Sequence, residues 1–187
     1  MDHAVELGVH RPALNPRLDS RGFTLIELLI VVGIIGVIVA TAVPNLFRAR
    51  ISSNEASAIA TLRSIVSAQQ DFSAVAQGFA NNLGTLASLC PGFTVAFISP
   101  DLNANGVVKS GYSFGVAAGA GAAVGPNDCF GNPTSTAFYA TALPQAVGGT
   151  GYRGFAANGA AAIWEDRTGA APAEPFIISP TVSPIGR

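Results

Sequence analysis

The sequence predicts an α+β protein in which one long N-terminal α-helix packs on a small C-terminal antiparallel β-sheet. Three observations carry that prediction. Phe23 to Val43 reads FTLIELLIVVGIIGVIVATAV, an apolar run whose only charge is Glu27. After Pro44 the apolar residues thin into a stripe, with Ala58, Leu62, Ile65, Gln69, Phe72 and Ala76 recurring at steps of four and three, as one face of an amphipathic helix does. From Asn81 onward, short β-like runs are separated by Gly, Pro and Asn.

The elements divide the chain into four parts. Residues 1–22 mix acidic and basic side chains with Pro12 and Pro16, show no helical period, and read as a leader. Residues 23–44 form the apolar helix half. At about 1.5 Å per residue, that half is long enough to span a hydrocarbon layer of about 30 Å. Residues 45–78 form an amphipathic half, punctuated by Arg48, Arg50, Glu55, Arg63 and Asp71, so the helix is expected from Phe23 to about Gln77 with Gly78 as its stop. Gly33, Gly36 and Pro44 are its weak points. Residues 79–187 form a β-rich head. Strands are expected over 111–118, 136–143, 152–157 and 160–165, and Asn158-Gly159 is read as a type I′ hairpin turn.

Composition narrows the function. Of 187 residues, 49% are hydrophobic and only 11% charged, well below the roughly 25% charged of an ordinary soluble domain, so part of the chain must be buried in lipid or in partner subunits. A net charge of −1 without runs of like charge gives no footprint for nucleic acid. His3 and His10 are the only histidines, and both precede the apolar run. A chain starting near residue 23 would have no histidine and one lysine, Lys109, which leaves little for nucleophilic or zinc catalysis and calls for no cofactor.

The cluster that bears on function is Gly22-Phe23-Thr24-Leu25-Ile26-Glu27. A carboxylate this far into a membrane segment costs roughly 2.5 to 3.5 kcal/mol on insertion scales and needs a partner. Cleavage after Gly22 would create one, because the new α-amino group of Phe23 lies one helical turn from Glu27. The pairing is open to the same chain or to a neighbour; between chains it would set the register of assembly. Two plainer readings stand beside it. A conventional signal peptide cut at Ala40-Thr41-Ala42 would release a chain starting at Val43, and a simple membrane anchor would leave Glu27 without a purpose.

Gly22 followed by FTLIELLIVVGIIGVIVATAVP resembles the N-terminal signal of type IV prepilins and type II secretion pseudopilins over residues 21–48. The resemblance implies a pilin fold and cleavage after Gly22 by a prepilin peptidase that also methylates the amine of Phe23. It further implies docking directed by Glu27 and loss of helicity over the stretch from Gly33 to Pro44 in a filament. The expected partners are other copies of the chain, the peptidase/methyltransferase, the inner-membrane assembly machinery and, before assembly, the membrane itself. The product would be a cell-surface filament or a periplasmic pseudopilus. The leader is longer than the short basic leader usual in that family. Lys109-Ser110-Gly111-Tyr112, FYATALP and the run ending Ile163-Trp164-Glu165-Asp166 are similar to a pilin-like C-terminal domain.

The remaining candidates have modest readings. Cys90 and Cys129 fit no paired metal-ligand spacing and are expected to form a disulfide if the head is exported. Asp101, Asn103, Asn105 and Gly106 resemble the start of a calcium loop, but Tyr112 stands where a bidentate glutamate is expected, so an Asn-Gly turn is the favoured reading. Glu165-Asp166 is read as a solvated strand end, and Trp164 and Tyr112 as sheet packing.

Overall fold

Thr24 starts the long helix. Its hydroxyl accepts the backbone N–H of Glu27 at 3.2 Å and its carbonyl accepts that of Leu28 at 3.3 Å, which gives first-turn N–H groups the partners a helix end otherwise lacks. Helix α1 then runs Leu25–Ala76, 52 residues, in a computed structural model that describes residues 22–185. The expected start at Phe23 is two residues early, because Thr24 takes the capping position. Pro44, which has no N–H for the helical ladder, lies inside α1. By internal contacts the chain divides into two compact units, one ending at Ala42 and one beginning at Val43.

Helix α1 ends by a different device from the one expected. Gln77, not Gly78, takes the left-handed conformation (φ 56°), while its N–H still reaches the carbonyl of Ser73 at 3.0 Å. Gly78 serves close approach instead: a β-carbon there would overlap the side chain of Thr134. Phe79 then pairs with Ser135 through two backbone hydrogen bonds of 2.8 and 3.0 Å, tying the helix exit to the sheet region.

A short helix α2 (Leu83–Ala87) and a 3₁₀ turn (Pro100–Leu102) precede eight strands: β1 Val107–Lys109, β2 Tyr112–Ala118, β3 Val124–Asn127, β4 Pro133–Ser135, β5 Phe138–Pro144, β6 Gly154–Asn158, β7 Ile163–Asp166 and β8 Val182–Pro184. Six of these form an antiparallel sheet in the order β1-β2-β5-β6-β7-β8, with β3 and β4 making a separate hairpin between β2 and β5. The chain therefore folds on itself by neighbour pairing, with no crossover. A disulfide joins Cys90, before the 3₁₀ turn, to Cys129 in the β3–β4 loop, with Cα atoms 5.6 Å apart.

The tightest hairpin lies elsewhere than expected. Lys109 pairs with Tyr112 across Ser110 (φ 49°) and Gly111 (φ 73°), so Ser110-Gly111 supplies the two positive φ values of a type I′ turn. At Asn158-Gly159 the last pair is Ala157 with Ile163, the connection is longer, and the positive φ falls on Ala161 (58°). The Asn158 carbonyl accepts from Ala161 at 3.0 Å and its side-chain oxygen from Ala160 at 3.1 Å, an Asx-type turn that does not need a left-handed Gly159.

The core lies between the second half of α1 and one face of the six-stranded sheet. Ala58, Leu62, Ile65 and Phe72 from α1 join Tyr112, Phe114 and Val116 of β2, Phe138, Ala140 and Ala142 of β5, and Phe155 and Ala157 of β6 in one buried cluster. The alternation along β2 and β5 is the period of two that a half-buried strand requires. Gln69 belongs to the same helical stripe yet is polar and fully buried. Its amide donates to the carbonyl of Ala80 at 2.8 Å and accepts from the N–H of Ala80 at 2.9 Å, so it stands in for a strand partner in the segment after the helix. Replacing Gln69 by Leu keeps the volume but leaves both Ala80 groups unpaired in the core. We expect a loss of about 2–4 kcal/mol, read as a lowered unfolding midpoint of the full chain in detergent; an unchanged midpoint would show that Ala80 finds other partners.

Candidate assembly site

The Gly22–Phe23 peptide bond lies before the first helical residue, and both residues are exposed, Phe23 to 86%. Glu27 falls in the first turn of α1, with its side chain exposed among Leu25, Ile26, Leu28 and Leu29, themselves 63–82% exposed. With Thr24 as cap, Glu27 is the third helical residue, where the aligned peptide dipoles favour negative charge. Thr24 and Glu27 also have the spacing of a capping box. That S/T-x-x-E signal was present in the sequence beside the more conspicuous apolar run. Phe23 precedes Glu27 by four residues, so a free amine on Phe23 would lie about one turn away. Pro44 is exposed on α1.

A second constellation, which sequence patterning missed, fixes the helix to the head. Glu55 sits among the charges punctuating α1, yet it is buried. One of its oxygens accepts the backbone N–H groups of Tyr152 (2.9 Å) and Arg153 (3.2 Å), and the other takes Nε (2.9 Å) and Nη2 (2.6 Å) of the Arg153 guanidinium. The remaining guanidinium nitrogen of Arg153, Nη1, bonds Glu165 of β7, which also accepts from the Ser183 hydroxyl at 3.3 Å and pairs with Arg167 at 3.6 Å. Nearby, Asn54 donates to the carbonyl of Thr150 at 2.9 Å, and the Tyr112 hydroxyl donates to that of Arg153 at 2.8 Å. One turn of α1 therefore closes the loop between β5 and β6. A period-based reading assigns a lone glutamate to the solvated face; only the fold reveals that the loop delivers an arginine to it.

Burial by itself would push the Glu55 carboxyl up. The guanidinium hydrogen bonds and charge of Arg153 and the N–H of Tyr152 outweigh that and hold it below the usual carboxylate range. For Arg153 burial acts downward, but its hydrogen bonds to Glu55 and Glu165 outweigh that and raise it. Burial also raises the Tyr112 hydroxyl, with Glu55 adding to the effect.

The reading of Glu165-Asp166 as a solvated strand end is corrected for Glu165, which is buried and ion-paired; Asp166, on the opposite face, instead accepts from the N–H and hydroxyl of Thr168, each at 2.9 Å. Trp164 stacks on Phe176 with ring centres 5.3 Å apart, and Tyr112 packs beside Phe155 in the core. Around the candidate calcium loop, Asp101 pairs with Lys109 at 2.7 Å, and Asn103 closes the 3₁₀ turn. Both ends of the Asn105 side chain bond backbone: its oxygen accepts from Leu83 (3.2 Å) and Val116 (3.0 Å), and its amide donates to Val116 (2.8 Å). Gly106 turns with φ 87°, the conformation an Asn-Gly turn uses.

An anchored or polymerising α+β subunit is the class this arrangement defines, since one end of α1 is apolar and exposed while the other is sealed under a folded head. Comparison with known proteins shows what the chain is similar to. Residues 17–43 match the prokaryotic N-terminal methylation motif. The type IV major pilin protein PilA of Myxococcus xanthus is 42% identical over 73 residues, which are 37% of this chain and 32% of that protein. The type IV wide pilus major component PilA4 of Thermus thermophilus is 38% identical over 71 residues, 38% of this chain and 54% of that protein. The match thus spans about a third and about half the length of these curated relatives. No solved structure matches. The chain thus carries a prepilin-type N-terminal methylation motif and is similar, over about 70 residues, to type IV major pilins.

The Glu55 clamp sets a pH dependence. Folded Glu55 binds its proton less tightly than in the unfolded chain, where 4.5 is the ordinary value, so its stabilisation is present above that value and is lost as pH falls through the depressed folded value. Replacing Glu55 by Gln should destabilise the full chain at neutral pH by about 1–3 kcal/mol, a figure reduced for the partial exposure of Arg153. The gap between variant and parent should shrink in acid. Unfolding midpoints measured at neutral pH and near pH 3 check this, and a gap independent of pH would remove Glu55 as the titrating group.

Proposed function

We propose that this chain is a structural subunit of a type IV pilus or pilus-like filament, acting by polymerisation and not by catalysis. It is cleaved after Gly22, methylated on the amine of Phe23, and held in the membrane as a single-pass protein until its apolar helix half moves into the core of a filament. Glu27 sets the register by pairing with the Phe23 amine of a neighbouring subunit. The carrying observation is the first turn of α1: an exposed scissile bond, a Thr24 cap, and a carboxylate one turn on among uncovered apolar side chains.

Magnitudes favour this over the plainer readings. Twelve Leu, Ile and Val side chains between Leu25 and Val39 are exposed. At about 1.5–3 kcal/mol for each one fully buried, covering them outweighs the few kcal/mol charged for Glu27. A pair of unit charges about 4 Å apart recovers about 4 kcal/mol at an effective dielectric near 20, which is enough to offset that charge. The alternative cut at Ala40-Thr41-Ala42 lies inside α1 and would remove much of its apolar half. A pilus is preferred to a secretion pseudopilus because both relatives are named as major pilus components.

Mass spectrometry of the exported protein should find N-methylated Phe23 at the mature terminus; a start at Val43 would sink the proposal. Replacing Glu27 by Ala should leave processing intact while filament yield, scored by electron microscopy of sheared surface material, falls at least about tenfold, the equivalent of 1.4 kcal/mol of lost pairing. Normal yield from the alanine protein would contradict the pairing.

A further inference from the structure

Beside the disulfide, an open cleft of about 570 Å³ lies between α2 and the β3–β4 loop, lined by Asn81, Asn82, Thr85, Ser88, Asp128 and Phe130 among others. Its polar groups are held in place before any ligand arrives. Asn81 donates through its amide to the carbonyl of Pro133 at 3.1 Å, which fixes the side-chain oxygen as an acceptor. That oxygen is buried beneath the lining, so Asn81 shapes the cleft and leaves the ligand contacts to its neighbours. Asn82 spends its oxygen on the N–H of Gly84 (2.7 Å), leaving its amide to donate. Ser88 donates to the carbonyl of Gly84 at 2.7 Å, leaving its oxygen to accept. Asp128 is anchored through one oxygen by the N–H groups of Phe130 (2.9 Å) and Asn132 (2.8 Å), next to the bonded Cys129. The Phe130 ring at the rim is 42% exposed.

The chemistry of this lining selects a ligand class. It contains no lysine or arginine and one carboxylate, so phosphate, sulfate and uronate groups are disfavoured. A single carboxylate, with one oxygen on backbone N–H groups and the other at 3.5 Å from the Asn132 amide, falls short of the oxygen cage that calcium requires. Amides and hydroxyls that both donate and accept, with an aromatic face beside them, suit a ligand bearing many hydroxyls on one side and C–H groups on the other. We propose that this cleft binds a neutral saccharide, with Asn82, Ser88 and Asp128 on its hydroxyls and Phe130 against its C–H face. The volume lies within the range of small-ligand sites.

The test is calorimetric titration of the full chain, in micelles of a zwitterionic detergent, with neutral tetrasaccharides built of glucose, mannose, galactose or N-acetylglucosamine. A sulfated tetrasaccharide and calcium chloride serve as comparisons. At least one neutral sugar should bind, with an affinity unchanged between about 0.05 and 0.5 M salt because no ion pair is there to be screened. Replacing Phe130 by Ala should weaken binding at least about tenfold. Thr85→Arg, which fills the cleft without breaking a hydrogen bond described above, should abolish it while the thermal midpoint stays at the parent value. The proposal is overturned if no neutral sugar binds at millimolar concentration, if the sulfated sugar or calcium binds in preference, or if both variants bind as the parent does.

Discussion

Water is a poor solvent for about the first four turns of α1. From Leu25 to Val39 nearly every side chain is a branched or linear hydrocarbon, and all of the large ones are exposed. Shielding a surface of that kind from water is worth tens of kcal/mol in aggregate, several times the net stability of an ordinary domain. The environment of this segment is therefore set by where such a surface can be hidden, in lipid or against other copies of itself. The proposed function uses both in succession. In the proposed assembly Glu27 is the residue whose burial has to be compensated, and cleavage after Gly22 would create the compensating charge. The Thr24 cap and the helix dipole give the carboxylate a local reason to occupy the first turn even before a partner arrives.

Further along the same helix the problem is solved inside the chain. From Val43 on, α1 belongs to a unit with a well-formed core, where Ala58, Leu62, Ile65 and Phe72 meet the alternating rings and alanines of β2 and β5. Polar groups are placed where the backbone needs them. Gln69 completes the hydrogen bonding of Ala80, Asn105 bridges Leu83 and Val116, and Glu55 takes two backbone N–H groups and a guanidinium from the β5–β6 connection. Each side chain satisfies backbone groups that the small sheet cannot pair, so a head with short strands still leaves few buried groups without partners.

How legible all this was in the sequence depended on periodicity. The apolar run, the helical stripe and the order of helix then sheet could be read directly, because a period of 3.6 or 2 is a local property of the chain. The motif from Gly22 to Glu27 was equally legible, since its residues are consecutive. What patterning could not deliver were interactions between residues far apart in sequence. Glu55 stood only as one charge among several along the helix, and Glu165 read as part of a solvated strand end, because Arg153, 98 and 12 residues away, is brought to them only by the fold. Turn assignments failed for a related reason. Asn158-Gly159 has the stronger local preference for a type I′ turn, yet strand register placed that turn at Ser110-Gly111, and the side chain of Asn158 is instead drawn to Glu174 at 2.7 Å. Gly78 was rightly singled out at the helix exit but for the wrong physical reason, its role being contact with Thr134, with the left-handed turn left to Gln77.

The proposed pairing of Glu27 with a neighbour's amine makes a geometric demand that a filament either meets or does not. Electron cryomicroscopy of assembled filaments, at a resolution that shows side chains in the core, measures it directly. The account predicts a Glu27 carboxylate within about 4 Å of the Phe23 nitrogen of an adjacent subunit, the range of an ion pair, with no other cation near it. Filaments in which Glu27 contacts the amine of its own chain alone, or faces solvent, would contradict it.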